Sequence, residues 1–210
     1  MGMTCGLVRA TEHEIARLRT NPEDIVSFID GDEWAPPQKE VRPKGLAGWL
    51  LRLTPIRIYE ADPDAVAPTP ERAAGSGRHL DLDKGWQPLH FLLTGTAWEG
   101  AEPECYLARA GEEFVDRLDS DDAGYSSIRV VNVSDVRRFA ESLNTLSAAT
   151  LRERFDVQKM IALDIYPKTR AKQTSSREGE LEHLVELFDQ LRTFVEQSAR
   201  DGEGLIVYLT

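Results

Sequence analysis

The stretch from Leu80 to Gly95 constrains this chain more than any other. Leu82, Trp86, Leu89 and Leu93 recur at spacings of four, three and four, which places them on one face of a helix. Gly95 stands where a glycine in the left-handed conformation closes a helix. Asp81 and Asp83 crowd the front, where unpaired N–H groups and the positive end of the helix dipole favour carboxylates. The pattern predicts a buried, central helix begun at Asp83, with Asp83 as its N-cap and Asp81 as a dipole partner. Pro88 would then fall in the second turn. There it lacks an N–H and its ring crowds the Lys84 carbonyl, so a kink is expected.

The totals bound what can surround such a helix. With 210 residues, 41% of them apolar and 29% charged, the chain can build a core without metal or disulfide staples. Its net charge of −11 argues against general nucleic-acid binding, which needs clustered Lys and Arg. The same charge fits a basic protein partner, or solubility alone. Cys5 and Cys105 are the only cysteines and form no CxxC, which excludes a disulfide scaffold and a Cys-rich zinc site and points to reducing cytoplasm. Met1 to Gly6 leads into a charged segment without a basic n-region or apolar signal core. A myristoylation motif would need Ser or Thr where Gly6 stands. The longest apolar run, Gly45 to Leu51, is too short to cross a bilayer. The expectation is a soluble cytoplasmic protein that needs no membrane.

Along the chain, Met3 to Ala10 reads as a first strand. Thr11 and Glu14 form a capping box for a helix with Ile15 and Leu18 on its apolar side. Asn21-Pro22 restarts a helix with Ile25, Phe28 and Ile29 inward. Prolines break residues 31–79 repeatedly. Leu46 to Leu53 reads there as an amphipathic helix carrying Trp49, and residues 60–78 as a flexible Pro/Gly-rich surface insertion. After the central helix, residues 104–109 and Tyr125 to Val131 read as strands. Helices follow, capped by Asn132, Ser147 and Asp156. The longest runs from Glu178 to Asp201 on the stripe Leu181, Leu184, Val185, Phe188, Leu191, Val195 and Ala199, with Gly202 as its stop. Leu205 to Leu209 closes as a strand placed beside the first. The whole is a single α+β domain over residues 1–210, a small sheet with several packed helices and its termini close together.

Several of these pieces, in order, resemble the YfbM-like family of bacterial proteins, a domain of unknown function. They are Met1-Gly2-Met3, Leu80 to Trp86, Leu89-His90-Phe91-Leu92-Leu93-Thr94-Gly95, Gly124-Tyr125 with Ile128-Arg129, and Ile165-Tyr166-Pro167. Gln87 stands where members usually carry His, Pro88 where they carry a small residue, and Ser126 where they carry Gly. The resemblance implies a compact α+β fold and no established activity.

Few residues carry chemistry on their own. Asp81 and Asp83 serve either as helix-start carboxylates or as metal or general-base groups. His90, one turn after Trp86, is either a hydrogen-bonded core residue or a proton-transfer group. Glu180 and His183 make half of a di-iron pattern whose second copy is missing. Asp119, Asp121 and Asp122 ahead of Tyr125 lack the register of a calcium loop and read as a solvated turn. No phosphate loop, Gly-x-Ser-x-Gly elbow or His-Glu-x-x-His occurs, and the sequence calls for no metal and no cofactor. Two functions remain open. One is a cytoplasmic binding or inhibitory protein, with an immunity-type protein as one instance, that meets a basic partner through acidic surface. The other is a small-molecule enzyme or ligand-binding domain. Its pocket near the helix start would use Asp81 and His90 as acid and base, Tyr125 as a hydroxyl and Arg129 as an anion clamp, with Asp83 and Trp86 adding ligand contacts.

Overall fold

The strand β1 (Cys5–Ala10) is buried along its whole length, because apolar residues stand on both of its faces and other strands border both of its edges. In the computed structural model, which describes residues 3–30, 38–40, 59–61, 77–109, 111–113, 127–165 and 175–210, β1 pairs antiparallel with β4 (His79–Asp83) and with β7 (Gly204–Leu209). β6 (Ser127–Val131) pairs with β7, and the two-residue β5 (Glu112–Glu113) with β6. The antiparallel sheet therefore runs β4-β1-β7-β6-β5. Cys5 lies opposite Leu209, and Thr4 and Thr210 exchange backbone hydrogen bonds of 2.9 and 3.1 Å. The first and last segments are thus neighbours, as the sequence predicts.

Two compact units make up the chain: Met1–Val26 with Gly77–Thr210, and Ser27–Ser76. The second unit contains the antiparallel pair β2 (Gln38–Glu40) and β3 (Tyr59–Ala61), with Lys39 opposite Glu60. The expected helix at Leu46 to Leu53 lies outside the described residues, as do positions 62–76 of the expected insertion.

In the first unit the sheet separates two sets of side chains. On one face Cys5, Leu7, Leu82, Val131, Leu205, Val207 and Leu209 join a core supplied by the helices. Those helices are α3 (Trp86–Thr94), α4 (Tyr106–Arg109), α5 (Val133–Thr145), α6 (Ala148–Arg154), α7 (Val157–Ala162) and α8 (Ser175–Asp201). The long α8 buries Leu184, Val185, Phe188, Leu191 and Val195 and packs along α5. On the other face lies α1 (Glu12–Thr20), whose Ile15 Cδ1 is 2.5 Å from where a Cβ on Gly204 would stand. The Thr11–Glu14 capping box forms in full. α+β is the class that results.

Ion pairs lock the end of β1. The Arg9 guanidinium, almost buried, donates from Nε to Glu203 at 2.6 Å and also pairs with Asp201. Arg78 donates to the Arg9 carbonyl at 2.8 Å and to Glu14 at 2.9 Å. The neighbouring ends of β1, β4 and β7 and the start of α1 are joined through these two arginines.

The structure corrects four local expectations. Residues 104–109 are not a strand: Ala108 and Arg109 return their N–H groups to the Cys105 carbonyl at 3.0 and 2.8 Å, and Tyr106, Leu107 and Ala108 are all buried. Short apolar runs suit either element, and here burial all round selects the helical turn. Asn21-Pro22 opens a 3-10 turn (Pro22–Asp24) before α2 (Ile25–Asp30), and the Asn21 side chain makes no cap bond. Asn132 precedes α5 without capping it, because its Oδ1 accepts from Arg19 at 2.8 Å. Asp83 does not cap the central helix. It ends β4 with φ of 43°, and its N–H is taken by Asp81 Oδ1 at 2.7 Å.

The central helix α3 therefore starts at Trp86, with Gly85 before it. Its first backbone bond runs from Leu89 N–H to Gly85 O at 3.0 Å. Pro88 falls just before that first donor, in the turn whose N–H groups have no intrahelical partner, so the expected kink has no cause. Two variants test this placement by urea denaturation. Trp86, 1% exposed, should cost about 3–5 kcal/mol when cut to alanine. Pro88→Ala should bring no gain and a loss of about 1 kcal/mol or less, from added freedom in the unfolded chain. A clear gain for Pro88→Ala would restore the kinked helix.

Candidate functional site: a loop held by the central helix

One side of α3 is apolar and enters the core, while the other carries Gln87, His90 and Thr94. These three face the chain that follows the helix. Gly95, with φ of 78°, reverses the direction and gives its N–H to Phe91 O at 2.7 Å. The loop then returns along the helix. Gln87 Nε2 donates to Ala97 O at 3.5 Å, and His90 Nε2 meets Glu99 O at 3.0 Å. Thr94 Oγ1 donates to His90 O at 2.9 Å and accepts the Thr96 N–H at 3.2 Å. Thr96 Oγ1 donates to Glu99 O at 2.5 Å. At Gly100, where φ is 147°, a Cβ would stand 2.7 Å from Thr94 Cγ2. Only glycine fits so close to the helix there.

Two tryptophans finish the clamp. Trp86 is sealed, and its Nε1 donates to Met3 O at 3.1 Å, which ties the helix to the entry of β1. Trp98 packs edge-on against it, ring centroids 5.3 Å apart and planes at 62°. Trp98 is nevertheless 40% exposed. Glu99 and Glu102 are exposed beside it in sequence. Glu99 pairs with Arg109 at 2.8 Å, and Glu102 with Arg138 at 3.4 Å. Glu102 also accepts the Tyr106 hydroxyl at 3.1 Å.

The candidate residues read from sequence are placed as follows. His90 is fully buried in the clamp. Because Glu99 O can only accept, Nε2 carries the proton, and Nδ1 is buried without a partner among the described residues. Burial pushes the imidazole down to about 4, against a smaller opposing effect of the Glu99 carbonyl and carboxylate. Trp86 stands one helical turn away in the same clamp. Asp81 and Asp83 are exposed on the edge strand β4. Arg129 lies on β6, paired with Glu113 at 2.8 Å and donating to Ser127 Oγ at 3.2 Å. β1 and β7 separate it from Asp81, about 14 Å at ordinary strand spacing. Asp81 and Arg129 therefore stand apart with two strands between them, His90 is sealed in the clamp, and Tyr125 lies outside the described residues.

Other chemistry is committed elsewhere. The Cys5 thiol is buried and its pKa is pushed far up by desolvation, with Asp81 adding to it; burial also raises Cys105. Neither is a thiolate nucleophile at neutral pH. Among the described residues no three His, Cys, Asp or Glu gather to hold a metal ion. His183 is exposed on α8, and Asp119 to Asp122 lie outside the described residues. A cleft of about 470 Å³ opens beside the end of α3, between Phe91 and Gly95 on one side and Arg154, Asp156 and Lys159 on the other. Its Arg154 is spent on the helix itself, donating to Leu92 O and Leu93 O at 2.9 and 3.0 Å, where a cation complements the dipole. Among the described residues no helix is long and apolar enough to cross a membrane.

An open antiparallel sheet with the first and last strands paired at its centre, covered by helices, defines the class as α+β. Residues 1–208 match the family model described as Domain of unknown function (DUF1877), and the chain belongs to that family. Its fold is similar to that in "The Crystal Structure of a Protein of Unknown Function YfbM from Escherichia coli", with a TM-score of 0.61, 16% sequence identity and 99% of each chain covered. No curated protein matches the chain.

The sequence reading missed the loop after Gly95. Its signals were Gly95 and Gly100 bracketing Trp98, with Thr94 and Thr96 able to bond each other. The clamp also implies a pH dependence. A histidine whose folded pKa lies below its ordinary value binds a proton more readily in the unfolded chain. Its stabilising contribution is complete above pH 6.5 and is lost as pH falls toward 4. Between pH 7 and pH 5 the His90 part of the loss should be about 2 kcal/mol. Urea denaturation at the two pH values should give His90→Gln a clearly smaller loss than wild type. Equal losses would place the titration elsewhere.

Proposed function

We propose that this protein is a cytoplasmic binding protein whose contact surface is built on the loop 95–102. The observation that carries the reading is the clamp: buried polar side chains of α3 hold the loop in place, and the loop leaves Trp98 at the surface. A tryptophan on a loop fixed by a rigid scaffold is suited to anchor a partner, because little freedom is lost on contact. The net charge of −11 favours a basic protein as that partner and speeds its approach. An inhibitory protein that neutralises a basic target, of the immunity type, is one form this takes. Two unpaired, buried cysteines suit a reducing compartment.

The test is isolation of the partner from source cells with the intact protein as bait, followed by reconstitution of the pair from purified components. The expected result is a basic protein whose binding, followed by calorimetry, weakens as salt rises. Native mass spectrometry that finds only a small molecule retained, with no protein complex reconstituted, would overturn the reading.

A further inference from the structure

Resting on that reading, we infer that the loop 95–102 is a receptor for an arginine- or lysine-bearing segment of the partner, with Trp98 as the aromatic platform and Glu99 and Glu102 as the carboxylates. Three observations fall on this one loop. Trp98 is backed by Trp86 at 5.3 Å and still 40% exposed, so it is held in place and open to a cation over its ring. Glu99 and Glu102 are 67% and 53% exposed in their side chains, so their oxygens are reachable from outside. Both already take guanidinium groups, from Arg109 on α4 and Arg138 on α5. Those arginines show the chemistry the carboxylates accept.

Exchange is physically easy. Arg109 and Arg138 are 57% and 51% exposed, and pairs so exposed are weak and screened. A partner's guanidinium that replaces one of them regains the charge-assisted bonds and adds the ring contact that Arg109 and Arg138 do not make among the described aromatic pairs. The Tyr106 hydroxyl, donating to Glu102 at 3.1 Å, keeps that carboxylate oriented during the exchange. Arginine should be preferred over lysine, because its planar group stacks on an indole and also bonds a carboxylate through two N–H groups.

The experiment uses the full chain and a defined probe, the capped peptide Gly-Arg-Gly-Arg-Gly, with the same peptide carrying citrulline for arginine as a neutral control. The four tryptophan indole N–H signals of labelled protein are followed by NMR during titration at low salt. The Trp98 indole should move in a saturable way with the arginine peptide and not with the citrulline peptide. Trp98→Ala should weaken binding at least tenfold. Glu99→Gln with Glu102→Gln, which leaves Trp98 in place, should weaken it several-fold. An arginine peptide that binds without moving the Trp98 indole, binds Trp98→Ala equally well, or does not bind at all would overturn the inference. The two claims fail separately: a reconstituted protein complex indifferent to Trp98→Ala removes this site and leaves the binding function, whereas failure to reconstitute any complex removes the binding function itself.

Discussion

Everything in the first unit depends on satisfying the backbone of β1. A strand buried on both faces has no water to bond, so each inward N–H and C=O needs another strand. β4 and β7 supply them, one from mid-chain and one from the end. The β1–β4 pairing also carries an irregularity: Cys5 lies opposite Asp83, while Gly6 lies opposite Asp81. Leu82 is the extra residue, buried in the core. Asp83 leaves the sheet with a left-handed backbone, and α3 begins three residues later. A bulge re-aims the strand that contains it, and here it delivers the central helix onto the covered face.

Once α3 is in place, the loop after it follows from polar bookkeeping. Gln87 and His90 are buried, and a buried polar group must find a partner. The returning loop offers the carbonyls of Ala97 and Glu99 to them. Among the described residues His90 is satisfied at one nitrogen only, since Nδ1 finds no partner there. That leaves the clamp dependent on a neutral imidazole, and desolvation keeps it neutral across the ordinary pH range. His90, the first catalytic candidate read from sequence, thus holds a surface element in place, while Asp81 stands exposed on β4.

Much of this was legible in the sequence wherever one residue sets one local bond. The Thr11–Glu14 box, Ser147 and Asp156 as caps, and the glycines at 95 and 202 all act where they were read. Apolar periodicity placed β1, β6, β7 and the inward face of α8. The misses share a cause in tertiary competition. Asp83 reads as a cap, yet the pairing with β1 keeps it in the strand. Asn132 reads as a cap, yet Arg19 takes its oxygen. Residues 104–109 read as a strand, yet burial on all sides suits a helical turn. His90 was read as lying one helical turn after Trp86, and both stand so in α3. Their bonds were hidden, because the carbonyls of Met3 and Glu99 carry no side-chain signature, and neither does the choice of which loop returns.

Backbone relaxation of the loop tests the central claim most directly. If α3 clamps the chain that follows it, the amide order parameters of Thr96 to Glu99 should match those of the helix, near the rigid value of about 0.85. Values below about 0.6 in that stretch, with α3 itself rigid, would contradict the account. The loop would then be free in solution, and Trp98 would not be a presented residue.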